Sequence, residues 1–125
     1  LATVQVNSNK KYGFIDKYGN FVIEPQFGFA DDFSDGLAKI LINGKHTYID
    51  NNGNVVISPQ EFGEIEDFSE GLALAKTKFG SKWGYINKSG NFIIQPQFEE
   101  AKPFSEGLAA VKIGNKWGYI RNPLK

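Results

Sequence analysis

The sequence predicts an all-β fold made of tandem repeats, and three observations predict it. One phrase recurs: Lys-Tyr-Gly-Phe-Ile-Asp at residues 11–16 returns in variant form at residues 45–50, 82–87 and 116–121. The glycines that follow it, Gly19, Gly53 and Gly90, are 34 and 37 residues apart, periods typical of repeat architectures. The apolar runs between them are short and bounded by Gly, Asn and Pro, which reads as strands rather than helices. The aromatic content of 14%, dominated by 11 Phe, also suits β packing. Each copy therefore reads as a three-stranded antiparallel meander. Stacked copies form an open twisted solenoid in which only neighbours touch. A small propeller-like closed array is the alternative.

The first strand of a unit is the Leu-Ala run, as in residues 37–42. Asn43-Gly44 then separates it from the next run, and Asn-Gly is a strong hairpin signal because both residues tolerate positive φ. Residues 113–116, Ile-Gly-Asn-Lys, repeat the signal. The second strand carries the recurrent phrase. A turn follows at residues 17–20, 51–54 and 88–91, with Gly fixed at its third place, which fits a type I turn closed by a left-handed residue. The third strand, such as residues 92–95, is expected to stop at Pro25, Pro59 or Pro96, because Pro cannot donate to a ladder. A loop of about eight or nine residues then leads to the next meander.

A lone small meander is marginal in water, so neighbouring units must share apolar faces. The whole of residues 1–125 is read as one domain, with units near 1–36, 37–71, 72–107 and a partial 108–125. The extra residues of the second copy, at Glu61 and at residues 79–81, fall in turns, where insertions are tolerated. Leu1-Ala2 matches Leu37-Ala38, which suggests a start within a longer array. Pro123 departs from the expected turn, so the last unit is expected to be frayed or capped.

With 14 basic and 14 acidic residues the net charge is zero, which gives no electrostatic case for nucleic acid or an anionic membrane. There is no cysteine, so disulfides and thiolate metal sites are excluded and the compartment stays open. No apolar stretch approaches the roughly 20 residues that span a bilayer as a helix. No phosphate loop, nucleophile elbow or cofactor motif is found, and a repeated unit does not readily carry a one-copy active site. The chain is read as no enzyme, with no cofactor.

Residues 82–86 (Lys-Trp-Gly-Tyr-Ile), with Gly90-Asn91, Pro96-Gln97-Phe98 and residues 104–109 (Phe-Ser-Glu-Gly-Leu-Ala), closely resemble the WG (or KWG) β-repeat family of bacterial proteins. Residues 116–120 match it as well, Tyr12-Gly13 is a near variant, and His46-Thr47 is the largest departure. The resemblance covers nearly the whole chain. It implies an all-β array, usually part of a longer protein, with no known catalytic residues. The implied function is protein binding or scaffolding, with a carbohydrate- or cell-envelope-binding module as the alternative. Expected partners are a protein, neighbouring repeats or a second copy.

Two sets of residues are candidates for binding. Tyr12, His46, Trp83 and Trp117 share one place in the unit. Exposed, they would make a ladder for stacking on sugar rings or gripping a peptide. Buried, they would be a spine between units, which is the preferred reading, with Gly13, Gly84 and Gly118 letting a neighbouring strand lie close. The second set is an acidic edge containing Asp31, Asp32, Glu66, Asp67, Glu99 and Glu100. Eleven of the 14 acidic residues, Glu61 included, fall in these loops. Its simplest account is surface solubility. As calcium loops they fail, since Phe33 and Ile42 stand where oxygen ligands are required. Phe33, Phe68 and Phe104 are expected to plug the core. His46, the only histidine, has no partner at motif spacing, and Asn87 is read as a turn former rather than a glycan site.

Overall fold

The computed structural model describes residues 1–57 and 62–125. Among these there is no helix. Thirteen strands form four small antiparallel sheets, none closed into a barrel. The chain falls into two compact units, Leu1–Pro59 and Gln60–Lys125, each holding two sheets.

In the first unit, β1 (Ala2–Gln5), β2 (Tyr12–Ile15) and β3 (Phe21–Phe27) make one sheet. β4 (Phe29–Ala30), β5 (Ala38–Ile42) and β6 (Lys45–Ile49) make the other. In the second unit, β7 (Phe62–Ile65), β8 (Ala73–Thr77), β9 (Trp83–Ile86) and β10 (Phe92–Phe98) make one sheet. β11 (Glu100–Ala101), β12 (Leu108–Ile113) and β13 (Lys116–Arg121) make the other. The meander is thus present, with one addition. The inter-meander loop opens with a short strand, β4, β7 or β11, which pairs with the Leu-Ala strand that follows.

The turns have the expected chemistry. Asn43 and Gly44 both have positive φ, 52° and 77°, whereas at the equivalent hairpin Gly114 is positive, at 59°. At the Gly-Asn turn the Asp16 carboxylate accepts from the amides of Tyr18 (2.9 Å) and Asn20 (3.0 Å). Asp50 and Asn87 do the same at their turns, an Asx turn that explains the residue type. The Ser-Asp/Glu-Gly-Leu stretch is itself a tight turn. Ser34 pairs with Leu37, Ser69 with Leu72 and Ser105 with Leu108, around an acidic residue and a Gly both at positive φ.

One expectation is corrected. The third strand does not stop at proline: β3 runs through Pro25 and β10 through Pro96. A bulge makes this possible. Ile94 pairs with Tyr85 and Phe98 with Trp83, leaving residues 95–97 opposite Gly84 alone. The first unit has the same register shift between Phe14↔Ile23 and Tyr12↔Phe27. A bulge on an edge strand places proline where no ladder bond is needed. Pro59 and Glu61 lie outside the described residues.

Within each unit the two sheets share one core. Phe14, Ile23 and Phe27 from one face of the first sheet pack with Ala30, Ala38, Ile40 and Ile49 of the second. Leu72, Leu74, Tyr85 and Phe98 pack in the same way with Ala109 and Val111, with Ile120 at the margin. Paired residues share a face, so the registers give each sheet a front (Leu74, Tyr85) and a back (Ala109↔Ile120, Val111↔Gly118). The front of one sheet meets the back of the next. A single run, β3 to β4 across Gly28 or β10 to β11 across Glu99, closes one sheet and opens the other.

Candidate interaction surface

The buried aromatic spine lies two places along from the one the sequence suggested. Phe14, Tyr48 and Tyr85 are fully buried. Phe14 meets Phe27 at 6.3 Å and Phe33 at 4.9 Å between ring centroids. Tyr85 meets Phe98 at 6.2 Å and Phe104 at 4.8 Å. The two triads superpose in distance and tilt, so ring packing repeats along with sequence. The Tyr85 hydroxyl donates to the Lys102 carbonyl at 2.7 Å, and burial raises its phenol well above the usual range. Phe68 and Phe104 are core plugs as expected, and Phe33 is half-buried.

Tyr12, His46, Trp83 and Trp117 do not form that spine. Tyr12 and Trp83 are half-buried, and His46 and Trp117 are exposed. Tyr12 lies edge-on to Phe29 at 5.7 Å. Lys76 Nζ sits 4.6 Å from the centre of the Trp83 ring, a cation–π contact that occupies the ring face. The ladder is therefore displayed unevenly, and Trp117 is its most open tryptophan.

The glycine after each aromatic has a steric reason. A Cβ on Gly13 would come within 2.7 Å of the Ile23 carbonyl oxygen and 2.8 Å of Pro25 N. On Gly84 the equivalent distances, to Ile94 O and Pro96 N, are 2.6 Å and 2.7 Å. The bulged return strand crosses this glycine, so only a hydrogen fits. In the second copy Thr47 takes the place, is buried, and its hydroxyl donates to the Ile57 carbonyl. The divergent residue has become a hydrogen-bonded substitute.

The acidic residues are largely engaged rather than arrayed as a free edge. Asp31 pairs with Lys39 at 3.7 Å and Asp32 accepts from the Thr3 hydroxyl at 2.9 Å. Glu64 with Lys76 and Glu100 with Lys112 are equivalent pairs, both at 3.2 Å. Glu99 accepts from Lys82 at 2.5 Å, and that hydrogen bond holds its carboxyl below the usual value. Glu66 and Asp67, beside the buried Ile65 and Phe68, have partners too. Among the described residues no group of three or more His, Cys, Asp or Glu side chains could hold a metal ion.

Glu70 does something the sequence did not reveal. Its carboxylate accepts from the Glu106 amide at 2.6 Å and the Gly107 amide at 2.9 Å, and Lys125 approaches to 3.5 Å. The Gly107 amide is the main cause of its lowered pKa, with Glu106 and Lys125 adding to it. The Ser-Glu-Gly turn of one repeat thus clamps the same turn of the next. Ser69 adds a bond from its hydroxyl to the Phe104 carbonyl at 2.7 Å. The Ser-x-Gly spacing was visible in the sequence, but not which turn would accept from which.

On β13 the aromatic positions are open. Tyr119 takes the place of Phe14, Tyr48 and Tyr85, yet it is 76% exposed, and Trp117 is 49% exposed. Nothing lies within 4 Å of a Cβ built on Gly118. Arg121 stands where the other copies have Asp or Asn, so the return turn does not form there. Instead the Asn122 amide donates to Gly107 O and its side-chain amide to Glu70 O, both at 2.9 Å. Residues 122–125 are thereby pinned near Glu70 rather than laid along β13. Sequence reasoning missed Tyr119 and Gly118 as surface residues. The signal available was Arg121 and Pro123 breaking the turn pattern.

Fold and surface together define a tandem β-meander repeat protein, with packing residues that recur by position. The family model described as WG containing repeat matches residues 12–45, 47–78 and 83–117. The chain belongs to that family. No curated protein matches it, and no solved structure does either.

Proposed function

We propose that this repeat module is a noncatalytic scaffold that binds protein partners. The observation that carries the reading is an exposed aromatic pair on β13: Trp117 and Tyr119 are 49% and 76% exposed beside Leu108 at 43%, and the place of Tyr119 is fully buried as Phe14, Tyr48 and Tyr85. Exposed aromatics beside apolar neighbours mark interaction surfaces. The repeated polar positions are engaged within the fold itself, through the Asx turns, the lysine pairs and the Glu70 clamp.

The test is capture from the native source with the intact chain, followed by cross-linking to locate the contact. Trp117→Ser with Tyr119→Ser is expected to abolish capture, and charge reversal at Asp32 and Glu100 to weaken it less. Equal capture by all three proteins would refute the assignment of the surface. Carbohydrate binding is the second reading, favoured by Trp117 and Tyr119 standing side by side on one face of β13. It predicts that polysaccharide shifts tryptophan emission, a response the protein-scaffold reading does not produce.

A further inference from the structure

The Asn-Gly pair that shapes a hairpin also carries chemistry that the fold does not use. An asparagine followed by glycine is open to attack by the glycine's own backbone nitrogen, since no Cβ shields it. The chain has two such pairs, Asn43-Gly44 and Asn52-Gly53, and the structure treats them oppositely. Asn43 and Gly44 are exposed at the tip between β5 and β6, and both hold positive φ. Neither the Asn43 side chain nor the Gly44 amide has a hydrogen-bond partner among the described residues. A Cβ at Gly44 would meet nothing within 4 Å. The ladder closes behind the tip, at Ile42↔Lys45. At the second pair the Gly53 amide donates to the Asp50 carbonyl at 3.0 Å. The Asp50 carboxylate fastens the amides on either side, Asn52 at 2.9 Å and Asn54 at 3.0 Å. A Cβ at Gly53 would touch the Ile23 side chain at 3.6 Å. Attack requires rotation about the Cα–C bond of the asparagine. At Asn43 this breaks no hydrogen bond of the two tip residues, whereas at Asn52 it breaks the turn.

We propose that Asn43 is a site of spontaneous deamidation in the folded chain, and that the Asx turn protects Asn52. The site is independent of the scaffold reading. The step balances with water alone. The Gly44 nitrogen gives up its proton and bonds to Asn43 Cγ, and the side-chain nitrogen leaves as ammonia. Water then opens the resulting five-membered imide. Addition at Cγ returns an aspartate with the backbone unchanged. Addition at the main-chain carbonyl gives isoaspartate, with the backbone rerouted through Cβ and Cγ. Either product puts a carboxylate where a neutral amide stood, in a chain whose net charge is zero. Isoaspartate also adds a carbon to the main chain of a two-residue turn, which loosens the pairing of β5 with β6. Those strands supply Ala38, Ile40 and Ile49 to the core of the first unit.

The full chain is incubated at mildly alkaline pH beside the peptide LINGKH, identical to residues 41–46. Both are mapped by mass spectrometry with fragmentation that separates isoaspartate from aspartate. Asn43 of the folded chain should be lost at a rate within about tenfold of the peptide, and Asn52 roughly tenfold or more slowly than Asn43. In urea the two rates should converge, because the difference belongs to the fold. Asp50→Ala, shown to be folded by circular dichroism, should speed the loss of Asn52 and leave that of Asn43 unchanged. If that variant does not fold, the urea comparison on the parent decides. The isoaspartate fraction, isolated by ion exchange, should melt below Asn43→Asp, which carries the same charge on an unaltered main chain and keeps a residue suited to the turn. Asn43 intact while the peptide converts, equal rates at the two asparagines in the folded chain, or a difference that persists in urea would each overturn the proposal. An isoaspartate fraction that melts with Asn43→Asp would overturn the loosening assigned to the lengthened turn.

Discussion

Adding one methyl group at two equivalent glycines should have opposite results. In Gly84→Ala the new Cβ would lie 2.6 Å from Ile94 O and 2.7 Å from Pro96 N, whereas ordinary contact begins at 3.4 Å. The return strand must yield by about 0.8 Å, and both atoms belong to backbone that cannot rotate away. Overpacking of this kind costs roughly 2–3 kcal/mol. Stiffening of the unfolded chain returns about 0.4–1 kcal/mol, leaving a net loss of about 1–3 kcal/mol. At about 4–8 °C per kcal/mol for a unit of this size, the midpoint should fall by on the order of 10 °C. Gly118→Ala meets nothing within 4 Å, so only the unfolded-state term acts and stability should hold or rise by up to about 1 kcal/mol. Thermal and urea melts followed by tryptophan emission read the relevant unit, since Trp83 and Trp117 are the only two tryptophans and both lie in it. Equal destabilisation by the two substitutions, or a neutral Gly84→Ala, would refute the reasoning that the return strand dictates the glycine.

Other substitutions probe separate parts of the repeat. Thr47→Val keeps shape but removes the donor to the Ile57 carbonyl, and should cost about 1–3 kcal/mol in a chemical melt because a buried acceptor loses its partner. Tyr85→Phe converts the second ring triad into the chemistry of the first. It should cost only about 0.5–1.5 kcal/mol, measured by calorimetry, with the lost bond being the one to Lys102. The Glu70 carboxyl is held below its ordinary value of 4.5 by the Gly107 amide first. Its contribution is therefore complete above that pH and is lost as pH falls through the lower folded-state value. Melts between about pH 6 and pH 2 should show the parent weakening in acid. Glu70→Gln should be weaker at neutral pH and less acid-sensitive, with Glu99 supplying part of the remaining slope. A Glu70→Gln profile parallel to that of the parent would show the clamp to be idle.

The repeat architecture was legible because it is written in local chemistry. Asn43-Gly44 and the Asp16, Asp50 and Asn87 turns each specify their own backbone conformation, and the strands between them follow. The passage of β3 through Pro25 was not legible. Its bulge depends on Gly13, 11 to 13 residues before the bulged segment, leaving room for the detour. Short strands such as β11, with two residues, carry no periodicity to read. The spine was misplaced because Trp and Tyr at one position look more core-like than Phe14 and Tyr85 two residues later. Alternation across the strand decides between them, and it depends on which face the neighbouring sheet covers. The Glu70 clamp is made by bonds that span 36 and 37 residues, and charge segregation alone suggested a polar binding edge or plain solubility, not a turn-to-turn contact.

Because the stretch from Phe92 to Ala101, like that from Phe21 to Ala30, is the hem of one sheet and the selvedge of the next, no scissors placed in it release an intact repeat. Loss or gain of a whole period, in contrast, leaves every ribbon sewn to an equivalent neighbour wherever the cut begins. Arrays stitched in this way can change length by recombination at any point in the period.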